Sequence, residues 1–158
     1  MQPEIVIGLG ETLEAAGRSA AAADEYALAE AMQRLNASYG MRVDLELAGF
    51  FADHGDAATA LRLARRAHIE RPTIYAADTL AWALYSSGQP RAAMPYVREA
   101  LRLGTQNSRL LYHAGTIEAA IGRQGAARAH LSAALALTPA FSPLDAPRAT
   151  ALLQALRR

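Results

Sequence analysis

Small and apolar residues recur along this 158-residue chain at a spacing near 34, far longer than a helical turn. Gly17, Gly55, Gly88 and Gly122 mark the register, 38, 33 and 34 residues apart. Seven residues before each glycine stands a tiny residue: Gly10, Ala48, Ala81 and Gly115. Five residues after it come Ala22, Ala60, Ala93 and Ala127, and twelve after it Ala29, Ala67, Ala100 and Ala134. Apolar positions keep step. Leu9, Leu47, Leu80 and Ala114 directly precede the first small residue, and Tyr26, Ala64, Val97 and Leu131 fall nine after the glycine. Pro72 and Pro139 lie seventeen after theirs, where a unit would end.

This pattern predicts one helix–turn–helix unit repeated four times. The register glycine ends the first helix of each unit, where a left-handed backbone costs glycine least. Asp56, directly after Gly55, is placed to cap the second helix, and Ser19 is read as the cap of its own unit. Small residues mark helix crossings, because larger ones would hold the axes apart. The expected helices cover 4–16, 19–38, 42–53, 56–70, 74–87, 90–103, 107–121, 124–137 and 146–157. The first unit is about four residues longer than the rest, assigned to a second helix that ends at Gly40. Pro95 falls inside the sixth helix, near its start. "TPAFSPLDAP" (138–147) reads as a connector, followed by an amphipathic helix with Leu152, Leu153 and Leu156 inward. A solenoid needs such a cap.

A period near 34 with this content resembles the tetratricopeptide repeat (TPR) family. The likeness is carried by "DTLAWALYSSGQPRAAMPYVREALRL" (78–103) and "LLYHAGTIEAAIGRQGAARAHLSAALALTP" (110–139), then by "LELAGFFADHGDAATALRLARRAHIERP" (45–72). It implies an all-α, right-handed α-solenoid of four repeats, about 3–40, 41–73, 74–107 and 108–141. The connector and capping helix take 142–158, and the whole chain is one domain. The family's inner helices line a concave groove. Its inward positions correspond to Glu4, Ile7, Glu11, Glu14 and Ala15 in unit one, and to Arg42, Leu45, Gly49, Ala52 and Asp53 in unit two. In unit three they are Tyr75, Asp78, Trp82, Tyr85 and Ser86; in unit four, Arg109, Tyr112, Thr116, Ala119 and Ala120. The only Trp and three of the six Tyr thus share one expected surface. Aromatic rings beside Arg and Asp suit a peptide groove, giving contact area at low entropy cost. The groove candidates are Arg42, Tyr75, Asp78, Trp82, Tyr85, Arg109, Tyr112 and Thr116. The competing reading packs these rings between helices. The two-carboxylate clamp of the family's chaperone-binding members needs inward Lys and Asn, and this chain has no Lys. Arg42 and Arg109 remain as cations that could meet a carboxylate differently.

Charge and composition narrow the chemistry. The net charge is +1, which gives no support to nucleic-acid binding. Residues 1–46 nonetheless hold eight acidic groups against three arginines, so the remainder is basic. All cations are Arg and Ala is abundant, as in a GC-rich bacterial genome. The absence of Cys excludes disulfides and thiolate chemistry. There is no apolar run long enough to span a membrane. No signal peptide is visible, so a soluble cytoplasmic protein is the default unless an upstream leader precedes these residues.

No cofactor, metal or catalytic site is expected. The stretch "EIVIGLGETLEAAG" (4–17) imitates a dinucleotide-binding turn, but Leu13 holds the third glycine position and no βαβ unit follows. The histidines His54, His68, His113 and His130 show no i, i+3 or i+4 pairing, although His113 and His130 could meet across the fourth pair of helices. Arg62, Arg65 and Arg66 read as a solvated outer face. Ile5, Val6 and Ile7 make the first helix apolar nearly all round. An upstream repeat or a second copy is expected to cover that patch. The chain therefore reads as a non-catalytic interaction scaffold holding a peptide or helix of a partner protein, or alternatively as a structural or self-associating segment of a longer solenoid.

Overall fold

The computed structural model describes residues 2–41 and 43–157, and among these it contains helices and turns but no strand. The helices are α1 (Pro3–Ala15), α2 (Ser19–Ser38), α3 (Asp44–His54), α4 (Ala57–Glu70), α5 (Ile74–Ser86), α6 (Pro90–Leu101), α7 (Ser108–Ala120), α8 (Gln124–Leu137) and α9 (Asp145–Ala155). Consecutive helices pack as four pairs, α1 with α2 through α7 with α8, and α9 closes against α8 and α7.

The turns follow from backbone chemistry. All four register glycines have positive φ; at Gly55, φ is 110°, a conformation that a side chain would strain. The residue after each glycine takes the cap position of the next helix. At Asp56 this places Oδ1 to accept from the Thr59 N–H at 3.0 Å. Arg18 occupies the same position in the first unit, so Ser19 is the first helical residue of α2 and not its cap. Asn107 caps α7, its Oδ1 accepting from the N–H groups of Arg109 and Leu110 at 3.0 and 3.2 Å. Pro95 is exposed, so the hydrogen bond it cannot make falls on the solvent side of α6.

The register alanines are the core. Ala22, Ala29, Ala48, Ala60, Ala67, Ala81, Ala93, Ala100, Ala127 and Ala134 are all buried. In each hairpin the inner small residue faces a position sixteen further on, in the outer helix. A Cβ at Gly10 would run into the Tyr26 ring, and one at Gly115 would lie 2.7 Å from Leu131 Cγ. The equivalent buried pairs are Ala48 with Ala64 and Ala81 with Val97. Glycine thus stands opposite the larger Tyr and Leu, and alanine opposite Ala and Val.

The first hairpin stands apart. Few backbone approaches join it to the second, and a cleft of about 790 Å³ opens between α2 and the α3–α4 pair. Rings bridge it: Tyr26 lies against His54 with centroids 3.9 Å apart and meets Phe50 edge-on at 6.1 Å. The apolar patch expected on α1 is divided. Val6 is buried, as befits a helix packed mainly against α2, whereas Ile5 is 63% exposed and Leu9 lies open beside it.

The crossing geometry gives opposite signs for one substitution at two sites. Gly115→Ala is expected to cost about 1–3 kcal/mol, because its Cβ meets Leu131 and comes within 3.1 Å of the Ala127 carbonyl oxygen. Gly8→Ala, whose Cβ meets nothing within 4 Å, should stabilise α1 by roughly 0.5–1 kcal/mol. Urea unfolding measures both, and equal effects would contradict this packing.

Candidate functional site

The inner helices α1, α3, α5 and α7 present the register's inward positions to one concavity of about 360 Å³. Glu4, Ile7 and Glu11 line it from α1; Leu45, Gly49 and Asp53 from α3; Tyr75, Asp78 and Trp82 from α5; Arg109 and His113 from α7. Helical spacing explains the selection: residues three or four apart share a face, and the inner face of each helix is turned toward the cavity.

Asp53, at the end of α3, organises the floor. Its Oδ1 accepts from the Trp82 indole N–H at 2.7 Å, and its Oδ2 accepts from Arg109 Nη2 at 2.7 Å. One carboxylate therefore joins the second, third and fourth hairpins. A parallel link is made by His113, whose Nδ1 pairs with Asp78 Oδ2 at 2.9 Å. The His113 ring stacks on Trp82 at 4.1 Å with an interplanar angle of 12°, and Tyr85 stacks on Trp82 at 4.9 Å. Ser86 adds a hydrogen bond to the Ala52 carbonyl at 3.0 Å.

These contacts define what each aromatic can do. Trp82 is 7% exposed; stacked and hydrogen-bonded, it is a structural floor with only an edge toward the cavity. Tyr85 is half-buried beside it. Tyr112 and Thr116 are buried, and Phe141 of the connector covers Tyr112 at a ring distance of 5.6 Å. Burial pushes the Tyr112 hydroxyl above the usual phenol range. Tyr75 differs, being 51% exposed at the rim. Arg42 lies outside the described residues. Arg109, expected as a cation for a partner carboxylate, is already held by Asp53. His113 is not among the family's inward positions, though it falls four residues after Arg109 on the same helix. It does not meet His130, whose Nδ1 instead pairs with Glu118 Oε2 at 2.7 Å.

Burial pushes the Glu11 carboxyl above its ordinary value, opposed by Arg109. Among the described residues no group of three or more His, Asp or Glu could hold a metal ion. No helix among them is long and apolar enough to cross a membrane.

A thermophilic TPR protein of Thermus thermophilus superposes on this chain with a TM-score of 0.65 at 22% identity. The match covers 98% of this chain and 80% of that one. The chain has the TPR solenoid fold. No family model and no curated protein matches it. The TPR likeness thus rests on three-dimensional arrangement together with the repeat register. It shows a helical-repeat fold, an arrangement whose inner surface is concave.

Removing the Asp53 carboxylate tests this floor. Asp53→Ala leaves the Trp82 N–H unpaired in a buried site, and a loss of about 1–3 kcal/mol is expected. Asp53→Asn keeps an oxygen acceptor and should cost less. Urea unfolding followed by Trp82 emission reads both, and an unchanged Asp53→Ala midpoint would contradict the bond.

Proposed function

We propose that this chain is a non-catalytic interaction scaffold that holds a peptide or helix of a partner protein in its concave groove. The observation that supports this most is the groove's division of labour. Its floor is rigid and internally bonded through Asp53, while Tyr75 and Ile7 stand at the edge of the same cavity with apolar surface to offer. Tyr112 is packed beneath the connector and neither it nor buried Thr116 lines the cavity, so the groove is centred on α1, α3 and α5.

The exposed apolar residues of the first hairpin favour a second reading, self-association or docking of a further repeat. Ile5, Leu9, Leu35, Tyr39 and Met41 are all exposed there. Substituting Ile5 and Leu9 by Glu probes it without disturbing buried Val6, with sedimentation as the readout. Loss of a dimer supports it, and a wild-type monomer at high concentration counts against self-association.

The groove is tested with peptides selected from a random display library on the purified chain. Because Trp82 and Tyr85 form the floor, their truncation would confound binding with folding. The informative variant is Tyr75→Ala with Ile7→Ser. It should weaken the selected peptides roughly tenfold or more while circular dichroism is unchanged. Ile69→Ser, on the exposed outer helix α4, should leave binding within twofold. Equal losses in both variants would sink the groove reading.

A further inference from the structure

The charges around the groove are unequally matched. Arg109 lines the cavity, but its guanidinium is held by Asp53, which also takes the Trp82 N–H. Asp78 is engaged by His113. Glu4 and Glu11 line the same cavity without a hydrogen bond or ion pair to any described residue. Glu11 is partly buried, so its charge is only partly served by water.

A second observation points the same way. His113 is 4% exposed, lines this cavity, and its Nε2 has no partner. Nδ1 faces the Asp78 carboxylate, and in the tautomer that places the ring proton there Nε2 is an acceptor. The cavity thus holds more carboxylates than cations, with Arg109 set against Glu11, Asp53 and Asp78 alike, and a buried ring nitrogen without a partner. A guanidinium answers both, with a positive charge and a planar fork of N–H donors.

Building on the groove reading, we propose that the occupant is a basic segment of a partner protein, which inserts an Arg or Lys side chain between Glu11 and the Asp53–Asp78 floor. This is the opposite polarity to a groove that captures carboxylates. It also makes Glu11 a residue that weakens the free protein and strengthens the complex. Burial raises its folded pKa above the ordinary 4.5, so the stability linked to it is complete below 4.5 and is lost as pH rises through the folded value. The carboxylates of Asp145, Asp53 and Glu14 add to this upward shift, and the guanidinium of Arg109 opposes it.

The test uses three fluorescein-labelled twelve-residue peptides of the same Gly/Ala/Leu background, carrying three Arg, three Gln or three Glu, with anisotropy as readout. The Arg peptide should bind at least tenfold more tightly than the Gln peptide, the Glu peptide least, and the difference should shrink with added salt. Glu11→Gln should weaken the Arg peptide fivefold or more while raising the thermal midpoint at pH 7. Asp24→Asn removes one charge from exposed surface on α2 and should change binding less than twofold. Equal binding of the Arg and Gln peptides, with both lost in Tyr75→Ala, overturns the cation claim and leaves the groove standing. No binding by any peptide overturns both. A concentration-dependent dimer abolished by Glu11→Gln would make a second copy the occupant and overturn the partner assignment.

Discussion

Everything in this molecule depends on how closely two helices approach within each hairpin. That distance is set by one small inner residue and its counterpart sixteen positions later. Where the inner residue is glycine, the outer helix carries Tyr26 or Leu131; where it is alanine, the outer helix carries Ala64 or Val97. Packed interiors tolerate little change in volume, so the two members vary together in size. Stacking such hairpins then fixes which side of each inner helix turns toward the concave surface.

The concave surface is where ordinary packing rules give way. Along its floor, polar groups bridge successive hairpins: Asp53 to Trp82 and Arg109, and Asp78 to His113. Buried polar links of this kind hold position only when each member is satisfied. Among the described residues His113 Nε2, His54 Nε2 and Thr116 Oγ1 are buried without a partner, and of these His113 lies in the same cavity as the partly buried Glu11. An unpartnered nitrogen and a partly buried carboxylate in one concavity are what a surface kept for a ligand carries.

Much of the fold was legible in the sequence because turns and crossings have sharp residue requirements. Positive-φ glycines and the buried alanines repeat with the period, so each unit corroborates the others, while the Asp56 cap is a signal of the second unit alone. Ser19 reads as a cap in the sequence because a good capping residue sits one place beyond the register position, which Arg18 holds. The groove was legible only as a set of inward positions. Sequence alone could not show that Trp82 would be sealed between Tyr85 of its own helix and His113 of the next hairpin, nor that Arg109 would be spent on Asp53. Those outcomes depend on rotamers and on contacts between hairpins, which no single repeat encodes. Tyr112 illustrates the same limit, since a connector outside the repeats covers it through Phe141.

The most direct measurement is a double-mutant cycle at the fourth crossing, with Gly115→Ala and Leu131→Ala made singly and together and unfolding free energies taken from urea titration. If these two residues set the approach of α7 and α8, shortening Leu131 relieves the added methyl. The two losses should then fall short of additive by about 1 kcal/mol or more, within the range for residues in direct contact. Strict additivity, within about 0.3 kcal/mol, would mean that the helices are spaced by something other than this pair.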